Sequence, residues 1–214
     1  MNWFLDMCIL ISYAEPADKF HNKVNKFINS KGADYYLACC YIIDENLPKW
    51  IKRKKVALLE IKRSLENSSY IIGTSTESNI LYKEDIADTK KILNYVSTKY
   101  KDKSEAYNKV KINQDILINN LNYFIKKFID KKVVPVKEID FELRSSLFSY
   151  LTPNDSDAKT LASGIQYRQI ENLVLFTGDK NDWTKELLES AIVYHPTLNK
   201  KYSKIPEIKY IQEM

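Results

Sequence analysis

A run of apolar residues, Leu173-Val174-Leu175-Phe176, stops at Thr177-Gly178-Asp179, and a helix-patterned stretch opening on Asn154-Asp155-Ser156-Asp157 comes shortly before it. This pairing constrains the fold more than any other part of the chain. A strand without polar alternation belongs in a sheet covered on both faces, the parallel sheet of an α/β protein. In open sheets of that kind ligands bind at the carboxyl ends of the strands, which is where Asp179 stands. A helix N-terminus favours an anion through its free N–H groups and its dipole, so an acid at Asp155 or Asp157 has a capping explanation of its own. Two carboxylates facing one cleft, however, repel each other unless a cation lies between them.

The rest of the chain repeats the alternation. Trp3-Phe4-Leu5 ends in Asp6 and leads into apolar Met7-Cys8-Ile9-Leu10-Ile11, which reads as strand, acid, helix. Capping of that helix is the simpler role for Asp6. Residues 17–30 carry Phe20, Val24, Phe27 and Ile28 at helical spacing, with Gly32 closing the helix. Tyr35-Tyr36-Leu37-Ala38 predicts a second strand. From Cys40 the pattern turns helical, with Glu45 early in it and Pro48 bending or restarting it. Ile71-Ile72-Gly73 suggests a brief extended piece, and two long helices follow at 84–100 and 104–131. Val133-Val134-Pro135-Val136 is expected to return in extended form. A helix at 141–151 stops at Pro153, another covers 183–190, and Ala191-Ile192-Val193-Tyr194 is the expected last strand. The predicted fold is α/β, with a mostly parallel central sheet. Residues 1–67 and 133–214 form a discontinuous core, and 68–132 a helical insertion packed on it.

Composition narrows the chemistry. With 214 residues, 44% of them hydrophobic, the chain can build one good core and an appended subdomain. Cys8, Cys39 and Cys40 have no Cys-x-x-Cys or histidine partner at zinc spacing, which fits a reduced, cytoplasmic protein without metal thiolates. Four glycines form no phosphate loop or dinucleotide fingerprint, and His21 and His195 are far apart. No segment has the length of a membrane span, and Asp6 interrupts the apolar start, so no membrane association is expected. The net charge of +5 permits contact with phosphates. Lys52, Arg53, Lys54 and Lys55, with Lys49 and Trp50 beside them, form the densest basic cluster; such a run is either a solvated helix face or a grip on a nucleic-acid backbone. Asp6, Glu45, Asp157 and Asp179 all fall at element ends. Carboxylates without His or Cys suit a hard cation, Mg²⁺ or Mn²⁺, which lowers the pKa of water and neutralises phosphoryl charge.

Taken together, Phe4-Leu5-Asp6-Met7-Cys8-Ile9-Leu10-Ile11, Ile42-Ile43-Asp44-Glu45-Asn46-Leu47, Asp157-Ala158-Lys159-Thr160-Leu161-Ala162 and Leu175-Phe176-Thr177-Gly178-Asp179 resemble the four acidic motifs of the PIN domain. The resemblance covers roughly 1–65 and 140–195. It implies a three-layer α/β fold, a Mg²⁺ or Mn²⁺ site held by Asp6, Glu45, Asp157 and Asp179, and metal-dependent endonucleolytic cleavage of RNA. Thr177 would support the last acid, with Asp155 and Asp182 as auxiliary acids. Lys52, Arg53, Lys54 and Lys55 would hold the RNA. A toxin or an RNA-processing role follows from the same likeness, with an antitoxin, another protein or a second copy as partner. Three departures stand out: Met7 and Cys8 replace the usual small polar residues, Asp182 follows Asp179 by three positions rather than two, and the helical insertion is large. Two alternatives compete. One is a haloacid-dehalogenase-like phosphatase, on Asp6 and Gly178-Asp179-Lys180-Asn181-Asp182; the other is a PIN-like module that binds RNA or protein without catalysis.

Overall fold

The computed structural model describes residues 1–30, 32, 34–151 and 154–214. The helix stop expected at Pro153 lies outside the described residues. In chain order the elements are β1 (Asn2–Leu5), α1 (Met7–Ala14), α2 (His21–Asn29), β2 (Tyr35–Cys39), a π-helical turn (Tyr41–Asn46), α3 (Leu47–Glu66), α4 (Lys83–Lys99), α5 (Lys103–Phe128), β3 (Ile129–Val133), α6 (Phe141–Tyr150), α7 (Asp155–Arg168), β4 (Val174–Thr177), α8 (Lys185–Val193), α9 (Pro196–Lys201) and β5 (Glu207–Tyr210).

The strands form one sheet in the order β3-β2-β1-β4-β5, every neighbouring pair parallel. The expectation of an α/β protein with a mostly parallel sheet is met, and the observed sheet is wholly parallel. β1 and β4 sit at its centre in the register Phe4↔Leu175. Phe4, Leu5, Leu175 and Phe176 are completely buried. Removing each such side chain from water stabilises the fold by about 1.5–3 kcal/mol. Strands buried on both faces need helices on both, an arrangement consistent with three layers. Gly164 is what lets α7 approach the sheet: a Cβ there would come within 2.7 Å of Leu175 Cδ2 and 3.6 Å of Phe4.

Several local expectations are corrected. Ala191-Ile192-Val193 is not a strand but the end of α8. Leu188, Ala191 and Ile192 are its buried residues, at helical spacing, and a short apolar run does not distinguish the two states. The last strand is instead β5, Glu207–Tyr210, hidden in the basic tail because an edge strand is half-exposed and carries Lys209. The extended return begins earlier than Val133, as β3, and turns out of the sheet at Val134 with φ +53°. The helix of 104–131 therefore ends at Phe128. α2 begins at His21 rather than Ala17, because the Asp18 carboxylate accepts the Phe20 N–H at 2.7 Å and fixes a turn there.

The chain divides into two compact units, Met1–Leu47 with Asn120–Met214, and Pro48–Asn119. The expected junctions at 67/68 and 132/133 thus fall at 47/48 and 119/120, since composition marks polar loops rather than the ends of packed clusters. In the second unit Ile61, Leu65, Val96 and Ala106 form a buried hydrophobic cluster. Ile71-Ile72-Gly73, expected as extended, is a turn tied down by Glu60. That fully buried carboxylate accepts the Gly73 N–H at 2.7 Å, the Ser75 hydroxyl at 2.6 Å and the Tyr70 hydroxyl at 2.9 Å, and pairs with Arg63 at 3.0 Å.

Candidate functional site

The chain runs outward from β1 to β2 and β3, then returns to the other side of β1 with β4 and β5. The carboxyl ends of β1 and β4 therefore flank the point where strand order reverses, the position at which open α/β sheets bind ligands. Asp6 follows β1 directly, and Gly178-Asp179 follow β4.

Asp6 caps α1 and is buried. Its Oδ1 accepts the Met7 N–H at 2.6 Å. Its Oδ2 accepts the Cys8 thiol at 3.0 Å and the Thr177 hydroxyl at 2.8 Å. Burial pushes the Asp6 carboxyl up, these three donors oppose the rise, and the charge of Asp179 adds to it. The Cys8 sulfur in turn accepts the Gly178 N–H at 3.1 Å. Cys8 thus links β1's acid to the turn after β4. Burial, then the Asp6 charge, pushes the thiol well up, so it remains a protonated donor.

Asp179 is shaped by its own loop. Its Oδ1 accepts the N–H groups of Asn181 at 2.9 Å and Asp182 at 3.0 Å, and its N–H donates to Thr177 Oγ1 at 3.0 Å. This turn folds Asp182 back beside Asp179. Burial and the neighbouring Asp179 raise Asp182.

Asp157 comes from the first turn of α7. Asn154 caps that helix and its Nδ2 donates to Asp157 Oδ2 at 2.6 Å. Burial, followed by the charges of Asp6, Asp179 and Asp182, pushes Asp157 from 3.8 up to about 7. One oxygen from each of Asp157, Asp179 and Asp182 lies within 4.8 Å of the others. The donor set is all carboxylate, the chemistry of a hard divalent cation that keeps part of its water shell. Such an ion fits here, because it would relieve the repulsion that raises Asp157 and Asp182.

The remaining expected residues are placed differently. Glu45 is half-buried in the π-helical turn after β2 and is not one of the three acids whose oxygens converge. Its neighbour Asn46 reaches Ser156 Oγ at 2.7 Å and ties that turn to the start of α7. Asp155 points into an ion pair with Arg144 at 2.6 Å and Lys159 at 2.8 Å. Burial would raise it, but those two cations hold it below the usual carboxylate range. Its role here is to anchor α7 to α6. Lys52, Arg53, Lys54 and Lys55 lie on α3, in the second unit. Arg53 is committed to Asp85 at 2.9 Å and stacks on Tyr82, Lys54 lies over Trp50, and Lys52 and Lys55 are exposed. No helix among the described residues is long and apolar enough to cross a membrane.

Cys8 and Asn154 are the site residues that spacing alone did not assign. Asn154 could have been found as a cap three residues before an acid. Cys8 had no such signal, because a thiol after an acid carries no motif of its own. Comparison of the chain with protein-family models, curated proteins and solved structures finds no match.

Proposed function

We infer that the chain is a divalent-metal-dependent endoribonuclease of PIN type, acting on RNA phosphodiesters with Mg²⁺ or Mn²⁺. One observation carries this reading: Asp157, Asp179 and Asp182 converge within 4.8 Å at the strand-order switch, with Asp157 raised to about 7 by burial and like charge. When bound, a divalent cation supplies charge neutralisation and an activated water. The protein's own part is then separable by residue. Asp179 and Asp182 are held as a pair by one turn, so they present two carboxylates in fixed geometry. Asp157 binds or releases a proton near neutral pH, and so couples occupation of the site to acidity. Asp6, locked by Cys8 and Thr177, supports the pocket with a buried negative charge. Glu45 remains part of the proposal as an acid of the first unit, and Lys52 and Lys55, exposed on α3 of the second unit, as candidates for contact with RNA phosphates.

The phosphatase alternative needs an acid two residues after Asp6, and Cys8 stands there with its thiol donated to Asp6. The test is incubation of labelled RNA with the protein and Mn²⁺, beside Asp157→Asn and Asp6→Asn. Cleavage by the wild type that both variants lose supports the reading. Equal cleavage by all three, or none by any, defeats it. Growth arrest on expression, relieved by a co-expressed neighbouring gene, would assign the toxin role.

A further inference from the structure

Asp179 also borders a second feature, an open groove of about 560 Å³ between the turn that enters α2 and the turn that leaves β4. Its wall carries Lys19, Phe20, Lys180, Asn181 and Ile211, all in the first unit. The two lysines are exposed, Lys180 in a surface pair with Glu213 at 2.9 Å, while half-buried Phe20 supplies apolar surface over buried Ile211. We propose that this groove seats one nucleotide of a single-stranded nucleic acid, the base against Phe20 and the adjoining phosphates toward Lys19 and Lys180, immediately beside the carboxylate cluster. The identification of that cluster as a nuclease centre is the reading on which this rests.

Four observations favour this occupant. The groove is continuous with the acidic centre through Asp179, so a strand lying in it brings its next phosphate to those acids. Its charge is mixed: Lys19 and Lys180 stand on the rim with Asp18 and Asp179 below, and the exposed Lys180–Glu213 pair at 2.9 Å is a weak contact that a phosphate can replace. An aromatic ring beside basic residues is the usual platform for an unstacked base, because every base has a π-face and sequence is immaterial. Lys19 now lies 4.7 Å from the Phe20 ring centroid, a weak exposed contact that a phosphate and a base can replace together. Finally, the walls are preformed. The Asp18 carboxylate fixes the Phe20 N–H at 2.7 Å, Gln212 Nε2 donates to the Gly178 carbonyl at 2.7 Å, and Lys23 donates to the Gln212 carbonyl at 3.1 Å. A base inside a duplex cannot reach such a ring without leaving its stack, so the groove selects single strands.

The experiment measures anisotropy of labelled RNA and DNA pentamers, single-stranded and duplex, with the full chain in EDTA and low salt, where no cleavage occurs. Single strands are expected to bind more tightly than duplexes. Phe20→Ala should weaken single-strand binding about tenfold, Phe20→Tyr should retain it, and the exposed pair Lys19→Ala with Lys180→Ala should weaken it and flatten its salt dependence. Thermal melts separate loss of binding from loss of fold, and the lysine pair decides the matter if Phe20→Ala unfolds. The RNA and DNA arms name the sugar. Wild-type affinity in both Phe20→Ala and the lysine pair overturns the groove. Failure of the nuclease reading is a separate result: binding through Phe20 without any cleavage in Mn²⁺ keeps the groove, whereas cleavage with unchanged KM in Phe20→Ala sinks the groove and keeps the nuclease.

Discussion

The Thr177 hydroxyl donates to Asp6 Oδ2 at 2.8 Å while the same oxygen accepts the Asp179 N–H at 3.0 Å. One side chain at the end of β4 thus fixes the acid that ends β1 and the acid that follows β4. A hydroxyl has one proton to give and lone pairs to receive, so it joins a carboxylate to an amide where an apolar residue of the same shape cannot.

Thr177→Val should therefore leave the volume filled and both partners short of a bond. Because Asp6 is buried, the loss is expected to be about 1–3 kcal/mol, read from urea unfolding. Weaker Mn²⁺ binding by calorimetry should accompany it. Unchanged stability and affinity would mean that the hydroxyl is dispensable.

The acidity of Asp157 gives a prediction with a definite sign. Its ordinary value of 3.8 is raised to about 7 in the fold, so between these values the folded protein holds a proton that the unfolded chain has released. Metal-free stability should then fall as pH rises from about 4 to 7, by up to roughly 1.4 kcal/mol per unit, and level off above. Thermal melts in EDTA across that range check it. Asp157→Asn should flatten the profile.

Mn²⁺ should reverse that loss. A ligand that binds only the folded state raises stability with its concentration, and here it needs the deprotonated acids, so the increase in Tm should be larger at pH 8 than at pH 6. Asp179→Asn and Asp182→Asn should each remove most of the increase. An equal increase in wild type and both variants would place the ion elsewhere.

Glu60 predicts the opposite pH behaviour in the second unit. Burial alone would raise it, but Ser75, the Gly73 N–H, Tyr70 and Arg63 hold it below its ordinary 4.5. Its stabilisation is complete above that value and is lost as pH falls through the lower folded value. Glu60→Ala should destabilise by about 2–3 kcal/mol and speed amide exchange at Gly73, since four donors lose one acceptor.

Cys8 separates chemistry from packing. Cys8→Ser keeps a donor toward Asp6 and an acceptor for Gly178, whereas Cys8→Ala removes both. The serine variant should retain Mn²⁺ binding, and the alanine variant should lose affinity by roughly tenfold, an effect of about 1.4 kcal/mol. Equal binding by both would reduce the thiol to filler.

The sequence by itself determined the elements whose burial pattern is local. The uninterrupted apolar residues of β1 and β4 and the acids at their ends were legible because the period of a strand depends on neighbours a few positions away. Only the tertiary structure decided which acids meet. Asp155 and Asp157 stand two residues apart on one helix turn, yet the first pairs with Arg144 and Lys159 while the second faces Asp179 and Asp182. Helical rotation sends successive side chains in different directions, and what waits in each direction is set by elements distant in the chain. The same holds for β5, whose exposed edge leaves no apolar trace, and for Cys8, whose partner Gly178 lies 170 residues away and becomes a neighbour only when β1 and β4 pair.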